Sequence, residues 1–254
     1  MAEKLKNLPE FARVRLFTGE DLRAGAAIEL GPQPSHYLLH VMRRAAGDAI
    51  RLFNGRDGEW SATLEVAKRA ARANVGERTR MQDKVPDVAL LFAPIKKAPM
   101  GWLVEKATEL GVARLQPVIT ARTQGGQVSP ERLRAHAIEA AEQSWRLSVP
   151  EIGAPVSLLA ALDALPPEAR VLYCDERREA APALRALAAA RAPTGKAWAI
   201  LIGPEGGFTP EEQEMLCLRS NLVAVSLGPR IVRAETAAIM ALTLWQSVLG
   251  DLAG

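Results

Sequence analysis

The sequence predicts an α/β protein in which a parallel-sheet domain follows a smaller, mostly β domain. From Asp87 onward, short apolar strands alternate with helical segments, which is typical of a parallel sheet covered on both faces. Residues 1–75 instead contain strand patterns separated by turns. The polar residues 76–86 end in proline and are predicted to form the linker between the two domains.

The N-terminal domain is predicted from a hairpin pattern. Alternating residues 48–53 and 59–66 flank a turn at residues 54–58 that contains two glycines, as expected for two antiparallel strands. Residues 11–17 are a further candidate strand, and one helix is expected near residues 35–44. Together these elements indicate a small β-barrel.

The C-terminal domain is predicted from the alternation of strands and helices, with Ser129 as one helix cap and Gly111 as one helix end. The predicted strands are residues 88–93, 113–119, 170–174, 197–202 and 222–227. The predicted helices are residues 99–110, 130–147, a short one after Ser157, and residues 180–191, 210–219 and 234–249.

The amino-acid composition limits the classes of protein to which the chain can belong. Hydrophobic residues make up 48% and charged residues 24% of the chain, which is typical of a soluble globular protein. No apolar run reaches membrane-spanning length, and the N-terminus lacks the apolar core of a secretory signal. Cys174 and Cys217, the two cysteines, indicate neither a disulfide framework nor a zinc site. A cytoplasmic protein with buried thiols is expected.

The positive charge is concentrated at the N-terminal end. Residues 1–80 hold 14 Lys/Arg and 10 Asp/Glu, a balance of +4, whereas residues 81–254 hold 18 and 19, a balance of −1. Such an excess favours a polyanionic partner. A solvated arginine-rich surface explains the same composition equally well.

Two glycine-bearing loops give the clearest functional signal. Residues 203–207 follow a predicted strand, and Thr209, Pro210 and Glu212 form a capping-box start for the next helix. A second loop begins at Gly228, after another strand. Because ligands bind at the carboxyl ends of parallel strands, the two loops predict one cofactor pocket. The loops match neither a P-loop nor a dinucleotide fingerprint, and the alternative is a pair of structural turns.

A metal site is not predicted. His36 and His40 are four residues apart and share a helix face. They lack the glutamate of the His-Glu-x-x-His motif and have no evident third ligand. For His36, a role as an RNA contact or as a helix cap is favoured instead.

Motifs along nearly the whole chain match a known family. They are Arg15-Leu16-Phe17, His36-Tyr37-Leu38, Val41-Met42-Arg43, residues 106–112, residues 142–146, Gly203-Pro204-Glu205-Gly206-Gly207 and residues 227–237. On these residues the chain resembles the RsmE family of ribosomal small-subunit RNA (uracil-N3)-methyltransferases, which belongs to the SPOUT superfamily. The last two segments are the most specific part of the resemblance.

The resemblance implies a fold and an assembly. Residues 1–75 are expected to form a PUA-like RNA-binding β-barrel, and residues 87–254 a SPOUT methyltransferase domain. SPOUT domains carry a deep trefoil knot in the parallel sheet, a feature that general topology rules disfavour. Family members are homodimers with the cofactor pocket near the subunit interface, and the apolar last helix is compatible with this.

The resemblance also implies the cofactor, S-adenosylmethionine, and the loops that hold it. Backbone groups of these loops are expected to bind its adenine. The residues expected to bind the cofactor are Leu201, Gly203, Pro204, Glu205, Gly206, Gly207, Leu227, Gly228, Ile231, Val232, Arg233 and Thr236.

The implied acceptor is N3 of a uridine in 16S ribosomal RNA, in the small ribosomal subunit. N3 carries a proton near neutral pH, and it must be removed before or during methyl transfer. Arg230 is expected to stabilise negative charge on the uracil oxygens. Glu235 or Glu205 either takes the proton or positions an arginine. The residues expected to contact RNA are Arg13, Arg15, His36, Arg43 and Arg146.

The sequence departs from the family pattern near Ile95. Pro99 and Gly101 stand where a basic and an acidic residue are expected, so the resemblance by itself does not support a role for the loop after Ile95 in holding substrate. Two rival functions remain open. One is a non-catalytic RNA-binding protein with a degenerate second domain, and the other is a superfamily enzyme that methylates transfer RNA or a ribose hydroxyl.

Overall fold

The structure is a computed structural model that describes residues 14–67, 70–175, 177, 180–190 and 197–253. The described chain divides into two compact units. The first contains the residues up to Lys84 together with Ala141–Val149, and the second contains Val85–Ala140 and the residues from Pro150 onward. Residues 141–149 therefore belong to the N-terminal unit, although the sequence predicts them as part of the C-terminal domain.

The first unit is built on a five-stranded sheet with the order β1-β3-β4-β5-β2. Strands β1 and β3 are parallel, and the other neighbours are antiparallel. Alternate side chains of these strands form its apolar core. The elements are β1 (Arg15–Phe17), β2 (Ala27–Leu30), α1 (Pro32–His36), a π-helical turn (Tyr37–Val41), β3 (Ala49–Phe53), β4 (Glu59–Ala67) and β5 (Ala70–Arg80).

The predicted hairpin is confirmed, because β3 and β4 pair across the turn. The linker prediction is wrong for residues 76–80, which lie in β5. Their polar composition concealed a strand that pairs with both β4 and β2. The predicted helix near residues 35–44 begins earlier, at Pro32, and widens into the π-helical turn. The part of the first candidate strand before Val14 lies outside the described residues.

The second unit is built on a parallel sheet with the order β12-β10-β11-β6-β7-β8, and β9 also pairs with β7. Every pairing is parallel, as predicted. No helix in the described ranges is long and apolar enough to cross a membrane. The elements are β6 (Val88–Phe92), α2 (Lys97–Glu109), β7 (Arg114–Ile119), α3 (Pro130–Gln143), β8 (Glu151–Ile152), β9 (Val156–Ser157), α4 (Leu158–Asp163), β10 (Arg170–Cys174), α5 (Ala183–Ala189), β11 (Trp198–Ile202), α6 (Pro210–Cys217), β12 (Leu222–Val225) and α7 (Ala234–Leu249).

Helix α3 ends at Gln143, one turn earlier than the sequence predicts. Trp145 has a left-handed backbone with φ 64°, which a helix cannot contain. Arg15 donates from Nη1 to the carbonyl oxygens of Ala141 and Glu142, at 2.9 and 3.0 Å. The last carbonyl groups of a helix lack partners within it and carry partial negative charge. The guanidinium of Arg15 satisfies two of them, those of Ala141 and Glu142, and stabilises the end of the helix.

Candidate cofactor site

The loop after β11 is a tight turn that requires glycine at two positions. The Gly207 amide donates to the Pro204 carbonyl at 2.9 Å, and Gly207 has φ 67°, where other residues are strained. A Cβ at Gly203 would lie 2.6 Å from the ring of Phe208. That ring is buried and packs edge-on against Tyr173, so it has little room to move.

The predicted capping box at the start of α6 is confirmed. The Thr209 hydroxyl accepts from the Glu212 amide at 3.3 Å, and the Glu212 carboxylate accepts from the Thr209 amide at 2.9 Å. The other oxygen of Glu212 accepts from the amide of Ala121, at 2.8 Å. Glu212 therefore also binds the loop that follows β7 to the start of α6.

A cleft opens at the carboxyl ends of β10, β11 and β12, beside the first turn of α7. This is the edge at which parallel sheets bind ligands, and both glycine loops face it, as the sequence predicts. The residues that line the cleft are Cys174, Asp175, Ile202, Gly203, Pro204, Glu205, Gly207, Leu227, Gly228, Arg230, Ile231, Val232, Ala234 and Ala237.

Most of the residues predicted to bind the cofactor meet at this cleft, but four of them do not line it, and neither does Glu235, a predicted catalytic residue. The Leu201 side chain is fully buried in the apolar core beneath it. Gly206 instead lines a smaller adjoining hollow. The others outside the lining are Arg233, Glu235 and Thr236, which lie at the start of α7.

The contribution of β10 to the cleft was not predicted from the sequence. Asp175 follows this strand directly and is 4% exposed. Its carboxylate accepts from the backbone amide and the Nε of Arg177, at 3.1 and 3.0 Å. The signal that identifies it is its place immediately after an apolar strand of a parallel sheet. A buried carboxylate in the lining favours a ligand with positive charge or hydroxyl groups.

The two cysteines differ in their surroundings. Cys174 lines the cleft, and burial raises the pKa of its thiol to about 12. Cys217 ends α6 and is exposed. The prediction that both thiols are buried is therefore wrong for Cys217, which lies on the exposed side of the end of α6, whereas Leu216 beside it is buried.

Two of the three predicted catalytic side chains reach the cleft. Arg230 and Glu205 both line it and are exposed. Within the described ranges, no hydrogen bond or ion pair engages the Arg230 guanidinium, so its donors are available to a ligand. Glu235 is half-buried in the first turn of α7 and outside the lining.

Arg15 is not an RNA contact, contrary to the prediction. Its side chain is fully buried and donates to Glu59 at 2.8 Å. The guanidinium lies over the rings of Phe53 and Trp145, at 4.5 and 5.2 Å from their centres. Burial lowers the pKa of Arg15, and the hydrogen bond and charge of Glu59 oppose this shift. A side chain engaged in this way cannot reach a phosphate group.

The remaining predicted RNA contacts have different positions. Arg13 lies outside the described residues. Arg146 is half-buried, and its Nε donates to the Ser148 hydroxyl at 3.2 Å. Its carbonyl oxygen accepts from Arg15, at 2.8 Å. The Arg146 backbone is therefore part of the structure that surrounds Arg15, and its side chain is only partly accessible.

His36 and Arg43 are exposed on and beside the π-helical turn. The rings of His36 and His40 lie 5.0 Å apart, and Arg43 has a left-handed backbone with φ 51°. Residues with a strained backbone conformation are frequent at functional sites, and so are π-helical turns. In the described ranges, no group of three or more potential metal ligands surrounds the histidines or occurs elsewhere.

Comparison with known protein families gives two matches. The model of an RNA methyltransferase domain matches residues 82–246, and the model of an RNA methyltransferase PUA domain matches residues 32–75. The first match covers more than half of the chain and contains both glycine loops. The second contains His36 and Arg43.

Individual proteins are similar over almost their whole length. Ribosomal RNA small subunit methyltransferase E of Rickettsia conorii is 33% identical over 231 residues, which is 90% of this chain and 93% of the relative. The enzyme of the same name from Neisseria gonorrhoeae, solved bound to S-adenosyl methionine, is 30% identical with a TM-score of 0.82 and covers 94% and 99%. A methyltransferase structure from Legionella pneumophila with bound cofactor SAM is 28% identical, with a TM-score of 0.79 and coverage of 92% and 97%.

Proposed function

Because the chain belongs to the RNA methyltransferase family of ribosomal RNA small subunit methyltransferase E, we propose that it methylates N3 of a uridine in 16S ribosomal RNA. The donor is S-adenosylmethionine, which supplies an activated methyl group on a sulfonium. The observation that carries the proposal is the cleft at which both glycine loops meet, with Arg230 and Glu205 in its lining.

The lining of the cleft suits the cofactor. Gly203 and Gly207 line it and carry no side chain, so a ligand can approach the backbone of the turn closely. Ile202 and Leu227 add apolar surface suited to an adenine ring. The buried carboxylate of Asp175 suits a cationic or hydroxyl-bearing group. A nucleoside that carries a positive charge satisfies all three features.

The chain's own side chains supply the proton handling and the electrostatics. Removing the N3 proton places negative charge on the two uracil carbonyl oxygens, and Arg230 stabilises that charge with donors not used by the protein. Glu205 stands in the same cleft and accepts the N3 proton. Glu235 is then a positioning residue at the start of α7, because it is not part of the lining.

The first unit supplies contacts to the RNA that do not depend on the reaction. His36, His40 and Arg43 are exposed just before, on and just after the π-helical turn. Imidazole rings stack on unpaired bases, and arginine binds phosphate. N3 lies on the Watson–Crick edge, so the target base must be unpaired or splayed out of a helix when it reaches the cleft.

Membership in the family also supports a trefoil knot in the second unit and a PUA-like barrel in the first. Threading of the C-terminal segment past the loop after β11 brings the two glycine loops to one cleft. Limited proteolysis between α6 and α7 tests the knot. The two fragments of a cleaved knotted domain should stay together for as long as the domain is folded. Fragments that separate in native buffer contradict it.

A homodimer is the assembly that we propose. Ile231 is 90% exposed beside the cleft, and Ile239, Met240 and Leu244 of α7 are only half-buried. A symmetric dimer that covers these apolar side chains is the commonest kind of oligomer. Light scattering during gel filtration is expected to give twice the 27.4 kDa chain mass. A concentration-independent monomer contradicts the proposal.

Product analysis tests the reaction directly. The purified protein is incubated with tritiated S-adenosylmethionine and small ribosomal subunits that lack this methylation, and the nucleosides are separated by chromatography. Label that co-elutes with 3-methyluridine is expected. Label in a ribose-methylated nucleoside, or label only with transfer RNA, favours the corresponding rival enzyme. If calorimetry detects no binding of S-adenosylmethionine, the result favours the rival function of a non-catalytic RNA-binding protein.

A further inference from the structure

A second hollow adjoins the cofactor cleft on the other side of the turn after β11. It has a volume of about 80 Å³ and shares Pro204 and Glu205 with the cleft. Its other walls come from the loops after β6 and β7. The residues that complete the lining are Pro94, Ile95, Lys96, Arg122, Gln124 and Gly125, with Gly206 of the turn.

The walls of the hollow are held in place by specific contacts. Arg122 donates from Nη1 to the carbonyl oxygens of Gly206 and Phe208, at 3.0 and 3.3 Å. A Cβ at Gly125 would lie 2.1 Å from the Pro94 carbonyl oxygen, so only glycine permits this approach. The hollow is therefore formed by three loops fastened to one another.

The charges of the hollow favour an anion. Lys96 and Arg122 are exposed cations in its lining, and Glu205 is the one carboxylate among the described lining residues. Nη1 of Arg122 holds the turn, its charge also acts on Glu211, and its Nε and Nη2 form no hydrogen bond within the described ranges. An arginine with free donors in a fixed orientation beside a lysine suits a phosphate group. The small volume suits that group better than a base with its ribose.

The geometry points to a phosphate-binding subsite, in which Lys96 and Arg122 hold a phosphodiester of the acceptor RNA next to the target nucleotide. The inference rests on the proposed function. A nucleotide whose phosphate occupies the hollow directs its base across Pro204 and Glu205 into the cofactor cleft. Arg122 then has two roles, since the same side chain braces the turn that forms the cofactor site. Lys96 donates to neither carbonyl of the turn. A substitution of Lys96 therefore tests the phosphate contact without disturbing the support of the turn.

The test measures binding of unmethylated small subunits to the full-length protein without cofactor, at several potassium chloride concentrations. Lys96→Gln and Arg122→Gln are each expected to weaken binding about tenfold. Each is also expected to reduce the slope of log affinity against log salt by about 1, as for one lost phosphate contact. Arg132→Gln, at an exposed arginine of α3 outside the hollow, is the matched control and should change neither quantity.

Calorimetry with S-adenosylmethionine separates the two roles of Arg122. The Lys96→Gln variant is expected to keep the wild-type affinity for the cofactor. Unchanged subunit binding and salt slope in Lys96→Gln overturn the subsite, and so does an Arg122→Gln variant that loses only cofactor affinity. The proposed function fails separately, through a wild-type protein that makes no 3-methyluridine.

Discussion

The guanidinium of Arg15 lies 2.8 Å from the carboxylate of Glu59, and both side chains are buried. We predict that Arg15→Met destabilises the first unit by about 3–5 kcal/mol, because it removes the closer of the two arginines paired with the buried Glu59 carboxylate, leaving only Arg51 at 4.0 Å, and leaves the end of α3 uncapped. Urea unfolding followed by Trp fluorescence measures this change.

A double-mutant cycle provides the control for this pair. Adding Glu59→Gln to Arg15→Met should cost less than the sum of the two single changes, because each single change already breaks the contact between the two side chains. Arg72→Met removes an exposed ion pair with Glu29 and should leave the unfolding midpoint nearly unchanged. Strictly additive effects at Arg15 and Glu59 argue against a coupled buried pair.

Arg230 is predicted to act mainly on the methyl-transfer step. Arg230→Ala should lower kcat by roughly 10²–10³-fold, the usual effect of removing one donor from a developing oxyanion. The dissociation constant for S-adenosylmethionine should stay within about twofold of wild type, since we propose that the backbone of the loops, and not this side chain, holds the cofactor. Single-turnover kinetics and calorimetry give the two values. Equal losses in both contradict the role assigned to this residue.

Substitution by alanine should affect cofactor affinity differently at Gly203 and at Gly206. Gly203→Ala places a Cβ 2.6 Å from the buried Phe208 ring, and we expect cofactor affinity to fall about tenfold or more as the turn shifts. The nearest contact of a Cβ at Gly206 is 3.6 Å, to the Arg122 side chain. Gly206→Ala should therefore bind the cofactor nearly as wild type, and calorimetry that finds equal losses rejects this account of the turn.

The thiols of Cys174 and Cys217 should react at very different rates. At about pH 8 only about one Cys174 in 10⁴ is a thiolate if its pKa is about 12. Its reactivity should stay low and rise only as the pH approaches that value, because a raised thiol pKa keeps the group neutral. A disulfide reagent should modify one thiol rapidly. Cys217→Ser should abolish the fast phase and Cys174→Ser should not, and a fast phase that survives Cys217→Ser refutes the assignment.

Arg43 is predicted to bind an RNA phosphate. Arg43→Gly removes the side chain and suits the left-handed backbone at φ 51°, so the fold should be preserved. The salt slope of subunit binding should fall by about 1. Arg72→Ala, at an exposed arginine of β5 in the same unit, is the control. A slope that does not change places the RNA on another face of the first unit.

The features that the sequence predicted correctly are local ones. Alternating apolar residues define β3 and β4, and the turn between them selects the hairpin. Thr209 and Glu212 specify the start of α6 through bonds three residues apart. The bounds of β10 and α7 match the prediction at both ends. The spacing of apolar residues in a strand, the residue types of a turn and the capping of a helix all depend on residues close together in the chain. They can therefore be predicted directly from the sequence.

The features that only the tertiary structure decided involve distant partners. Arg15 resembled an RNA contact, yet its partners are Glu59, 44 residues away, and the carbonyl of Ala141, 126 residues away. The hollow at Lys96 and Arg122 exists because separate loops meet at one turn. A charged side chain is buried or exposed according to whether the fold supplies partners that offset its desolvation. The sequence by itself thus determined the β3–β4 hairpin, most elements of the second unit and the two loops, and the packing of remote segments decided which charges face a ligand.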